Sequence, residues 1–112
     1  MEINGIEKAK AHVMIEIIEY ISHSVCFKSI LKKPTGSINA ISFDAGEVLA
    51  ERTIPFDTFI QIIDGKAEIL IDGISHMLNT GESIIVPAHT SKTVKANERF
   101  KMISTIIKSG YE

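Results

Sequence analysis

The feature that most constrains this chain is its rhythm from Val25 onward, where short apolar runs alternate with turn-forming groups. The punctuation is specific: Pro34-Thr35-Gly36, Asp44-Ala45-Gly46, Asp64-Gly65, Asp72-Gly73 and Asn79-Thr80-Gly81. Each run is too short for a stable helix and suits a strand. Strands are expected over 25–31, 37–43, 48–53, 58–63, 66–71, 74–78, 83–86, 92–96 and 101–107. An Asp-Gly pair fits a two-residue type I′ hairpin, in which both central residues need positive φ, so each such pair predicts a tight reversal. Ala67, Ile69 and Ile71 alternate with Lys66, Glu68 and Leu70, giving one mostly apolar face. Isoleucine occurs 21 times, a β-branched load that favours pleated, half-buried surfaces. Nine short strands in one open sheet would leave long exposed edges. Closure into a double-sheet jelly roll or small barrel removes them, so the fold class is all-β.

Residues 1–24 read differently and form an N-terminal extension to a barrel domain over 25–112. Ile6, Val13, Ile17 and Ile21 fall on a roughly helical spacing, and Glu7-Lys8-Ala9-Lys10-Ala11 consists of good helix formers. A strand around 14–18 is the alternative. Apolar residues such as Ile15, Ile17, Ile18 and Ile21 need cover, from the same barrel or from a partner's, and a homodimer is the expected assembly.

At 112 residues the chain is one domain. A net charge of −2 with basic residues scattered among acids argues against a nucleic-acid partner, which needs a clustered basic excess. The apolar stretches are too short and too interrupted for a membrane helix, and the N-terminus has no signal-like hydrophobic run. The single cysteine, Cys26, fits a reducing compartment and reads as a small buried hydrophobe. A cytoplasmic location is the resulting expectation.

Two glycine-anchored segments carry the resemblance to a known family. Gly46 to Gly65 reads GEVLAERTIPFDTFIQIIDG, and Gly81 to Ala96 reads GESIIVPAHTSKTVKA. Together they resemble the paired motifs of the cupin family, the first with Gly, five residues, His-x-His, three or four residues, Glu, six residues and Gly. The second runs Gly, five residues, Pro-x-Gly, two residues, His, three residues and Asn. The frame survives at Gly46, Gly65, Gly81 and Pro87, while Arg52 and Ile54 stand at the histidine positions, Thr58 at the glutamate position and Lys92 at the second-motif histidine position. The resemblance implies a jelly-roll barrel over roughly 25–108, that of a small single-domain RmlC-like cupin whose metal-ligand positions are replaced. No cofactor is expected. Divalent transition metals want imidazole and carboxylate donors, and two cations repel them.

If the barrel brings positions 52 and 92 face to face, as the family's ligand positions are, one guanidinium and one ammonium replace the metal's charge. Such a pair suits a carboxylate or phosphate; the alternative is that both side chains snorkel outward or pair with Asp44, Glu47 or Asp57. The proposed ligand-binding set is Arg52, Lys92, Phe56, Phe59, Thr58, Asp57 and His89. Pro55 marks a strand break at a barrel mouth, where Phe56 and Phe59 could line an entrance or serve as plain packing. Asp57 is the first candidate for a general base, although an acid beside Arg is usually a salt bridge. No Ser-His-Asp, Cys-His or paired-carboxylate arrangement is legible, and His12, His23, His76 and His89 match no zinc spacing.

Three functions follow in order of expectation. The first is a non-catalytic or regulatory barrel that binds a small anionic molecule. The second is a metal-independent enzyme of the sugar isomerase or epimerase type; such cupin-like enzymes usually pair a His or carboxylate with a tyrosine inside the barrel, and Tyr20 and Tyr111 lie outside the motifs. The third is a degenerate metal-dependent cupin using His76 or His89. A DNA-linked sensor would need a second domain for which this chain has no length.

Overall fold

A computed structural model describes residues 5–108; the first four residues of the N-terminal extension and positions 109–112 of the barrel domain, with Tyr111, lie outside it. Eight strands follow one another: β1 (Val25–Lys33), β2 (Gly36–Phe43), β3 (Val48–Thr53), β4 (Asp57–Ile71), β5 (Ile74–Asn79), β6 (Ser83–Val86), β7 (Ser91–Lys95) and β8 (Phe100–Ile107). All pairings are antiparallel, and two sheets share β4. One runs β1-β2-β8-β4-β6 and the other β3-β7-β4-β5, so the curled sheet closes as a jelly-roll barrel.

The strand count corrects the expectation of nine, because the runs 58–63 and 66–71 are one continuous strand. Asp72-Gly73 does form the expected two-residue hairpin, with φ of 49° and 81° and Ile71 paired to Ile74. Asp64-Gly65 does not reverse the chain. Only Gly65 has positive φ, 86°, and the pairing with β8 shifts register between Ile62 and Asp64. This is a bulge, and it bends β4 from the first sheet into the second. A straight 15-residue strand would span about 50 Å, more than the molecule's 39 Å extent. Glycine is required there because an added Cβ would lie 2.4 Å from the Arg99 carbonyl oxygen.

Inside the barrel, alternation along β4 turns Thr58, Ile60 and Ile62 inward in its first half and Ala67 and Ile69 in its second. One end is filled by Phe43 and Phe100, paired across β2 and β8 and stacked at 4.5 Å between ring centroids. A second apolar cluster lies on the outer face, where Ile17 and Ile18 pack on Ala40 and Ile103, with Cys26 alongside.

The N-terminal segment is therefore a strap laid over its own barrel. Its regular structure is a single 3-10 turn at Met14–Glu16 and an isolated bridge between Gly5 and Leu31. Neither the longer helix nor the strand around 14–18 forms. So short a helix is marginal in water without tertiary support, and here the supporting contacts hold an irregular chain. The Lys101 ammonium donates to the Ile15 carbonyl at 2.6 Å, Ser42 donates to the Glu19 carbonyl at 2.8 Å, and the Tyr20 hydroxyl donates to Asp64 at 2.6 Å. Burial and the Asp64 carboxylate both push the Tyr20 pKa up, so its hydroxyl stays a donor. No helix among the described residues is long and apolar enough to cross a membrane.

Candidate functional site

A cavity of about 230 Å³ opens between the two sheets, away from the Phe43–Phe100 end. The four positions at which the motif places its metal ligands converge on it: Arg52, Ile54, Thr58 and Lys92 all line its wall. Two of them are direct cross-strand neighbours, Arg52 of β3 facing Lys92 of β7. Regular alternation would put Leu49 and Arg52, three residues apart, on opposite faces. A bulge between them restores parity, since Leu49 pairs with Val94 while Arg52 pairs with Lys92, and both then line the cavity. Lys92 follows from plain alternation, two residues before the fully buried Val94.

Like charges placed directly opposite one another in a sheet repel. Among the described residues neither Arg52 nor Lys92 forms a salt bridge. Of the acids weighed as partners, Asp44 pairs with Arg99 at 3.1 Å, and Asp57 accepts from the Ala88 backbone N–H at 2.8 Å. Lys92 is half-buried and Arg52 lies exposed at the mouth. Burial, and secondarily the Arg52 charge, lower the Lys92 pKa below its ordinary value.

The remaining expected site residues lie off the cavity. Phe59 sits between inward Thr58 and Ile60, so alternation turns it to the outer face opposite Ile85. Phe56 is half-buried in the connection from β3 to β4, with the Lys108 ammonium 6.0 Å from its ring centroid. Asp57 braces the loop after β6 through Ala88. His89 is exposed with φ of 65°, the left-handed conformation that the motif's glycine would adopt there, and its backbone N–H donates to Ile54. His76 stands on β5 opposite Ile69 and does not reach the cavity.

Sequence reasoning missed Asn39 of β2, Thr90 before β7 and Ser104 of β8, which also line the cavity. They lie outside the motif's ligand positions. A larger hollow of about 580 Å³ lies under the N-terminal strap, but it has none of this convergence of cations and buried hydroxyls.

The donor set does not fit a transition metal. Two cations, an isoleucine and a threonine occupy the ligand positions, and no group of three His, Cys, Asp or Glu side chains comes together among the described residues.

No family model and no curated protein sequence matches the chain. Solved structures do. A cupin superfamily protein from Desulfitobacterium hafniense superimposes with a TM-score of 0.83 and 25% identity, over 93% of this chain and 94% of that one. The barrel has the cupin fold. A cupin 2 conserved barrel domain protein from Leptotrichia buccalis is 29% identical with a TM-score of 0.81, over 84% of this chain and 46% of that one. A conserved protein of unknown function from Streptococcus pyogenes is 25% identical with a TM-score of 0.89, over 98% and 96% of the two chains. That last match extends the similarity through the N-terminal strap as well as the cupin barrel.

Proposed function

We propose that this cupin is a non-catalytic small-molecule-binding barrel that holds a small anion between Arg52 and Lys92. The observation that carries the reading is the cross-strand pairing of these two cations on one cavity wall, with neither in a salt bridge among the described residues. An anion there turns a mutual repulsion into two charge-assisted interactions. The guanidinium supplies a planar fork and the ammonium a point charge. At about 230 Å³ the cavity suits a small molecule.

The lining supports binding more than catalysis. It contains no carboxylate, imidazole, thiol or phenol among the described residues, so the isomerase or epimerase reading lacks its usual acid–base pair. The test is isothermal calorimetry of small carboxylates and phosphates against a sodium chloride background. A hit should weaken by about 10-fold or more in Arg52→Ala and in Lys92→Ala, since a hydrogen bond to a charged group contributes about 1.5–3 kcal/mol. A hit that binds both variants as tightly as wild type places the anion elsewhere and ends this reading.

A further inference from the structure

The inner wall of the first sheet becomes polar toward the mouth. Its inward rows run from Phe43 and Phe100 through Ile41, Met102 and Ile62 to Asn39, Ser104 and Ile60, and then to Ile106 and Thr58, so an amide and two hydroxyls stand among isoleucines there. A barrel interior with no ligand to recognise is filled with apolar side chains; these positions carry an amide and hydroxyls. Thr58 is the decisive one. It is fully buried, it lines the cavity, and its hydroxyl oxygen has no hydrogen-bond partner among the described residues. Buried polar groups nearly always have partners, and an orphan asks for one. Arg52 and Lys92 lie on strands of the other sheet, so the cavity has a cationic wall on one sheet and a hydroxyl-bearing wall on the other.

We propose that the ligand is a short hydroxy acid: an anion whose carbon chain carries hydroxyl groups that pair with Thr58, and with Ser104 and Asn39 of the next row on the same wall. The proposal rests on the anion reading and adds the second half of the molecule. Leu49, Ile54, Val86 and Ile106 enclose the carbon chain between the two polar walls. An unhydroxylated acid of the same length satisfies the cations and leaves Thr58 orphaned. A site built to hydrogen-bond a substrate group discriminates strongly against the analogue lacking it.

Matched pairs test this by calorimetry: glycerate against propionate, and glycerol 3-phosphate against propyl phosphate, the second pair distinguishing a phosphate from a carboxylate anchor. In at least one pair the hydroxylated member should bind wild type about 10-fold tighter, the effect of one good hydrogen bond to an otherwise unpaired group. Thr58→Val should abolish most of that preference without changing the affinity of the plain acid, and Thr58→Ser, which keeps the hydroxyl, should retain it. Arg52→Ala should weaken both members of the pair alike. Equal binding within every pair, or a preference that survives Thr58→Val, overturns the hydroxy-acid assignment while leaving the anion site standing if Arg52→Ala still weakens both members. Absence of binding by all four probes overturns both.

Discussion

Lys92 is the residue at which the cost of an unfilled site is concentrated. Its ammonium is half-buried and faces a guanidinium, so the folded state holds the proton less tightly than the unfolded chain does. In the window between the lowered pKa and the ordinary lysine value of 10.5, the unfolded state binds more protons, and stability rises with pH. The expected outcome is that Lys92→Met stabilises the ligand-free protein at pH 7 by about 0.2–1 kcal/mol, the range for relieving a directly opposed like-charge pair. The variant should also lose the alkaline rise. Urea unfolding of wild type and variant across pH 7 to about 10 reads both effects. A destabilised variant with an unchanged pH profile would mean that the ammonium already has a favourable partner.

At the scale of elements, two identical dipeptides have different fates. Asp72-Gly73 makes a hairpin and Asp64-Gly65 makes a bulge, because only the first has positive φ at both residues. Gly73 has open space around its Cα, whereas a Cβ at Gly65 would meet backbone and side-chain atoms of β8. Gly73→Ala should therefore cost about 1 kcal/mol of backbone strain, and Gly65→Ala about 2–4 kcal/mol from strain plus overpacking. Thermal denaturation of the two variants compares them; equal losses would mean that the bend in β4 does not depend on that close approach.

The same contrast marks the limit of what the residues disclosed. The motif glycines were legible because Gly46, Gly65 and Gly81 all need positive φ, and the facing of positions 52 and 92 was expected only through the resemblance to the cupin motifs. The bend in β4 was not, since local turn chemistry is shared by reversals and bulges. Asn39 and Ser104 were hidden for another reason: the strap buries Ala40 and Ile103 on the outer face. Both faces of β2 and β8 are thereby buried over that stretch, and simple hydrophobic alternation no longer identifies the inside. Phe59 illustrates the converse error, an aromatic near the motif that alternation sends outward.

At the scale of the whole molecule, the barrel has a packed end, a polar mouth and a strap. The strap crosses the outside of the first sheet and is tied down by Tyr20 to Asp64 and by Lys101 to Ile15. The Arg99 guanidinium and the Lys101 ammonium lie 4.6 Å and 4.9 Å from the Tyr20 ring centroid. These contacts stiffen the sheet that carries Thr58 and Ser104, and β4 links that sheet to the one carrying Lys92. Most of the site stands on strands of the two sheets, and neither of its two cations forms a salt bridge among the described residues.

The most direct test of that central claim is a crystal structure of the protein soaked in selenate, a tetrahedral dianion that anomalous scattering identifies unambiguously. The account predicts an anomalous peak inside the barrel within hydrogen-bonding distance of both Arg52 and Lys92, absent from Lys92→Met crystals grown the same way. Selenate found only on the outer surface, or an internal peak that persists unchanged in the variant, would contradict it.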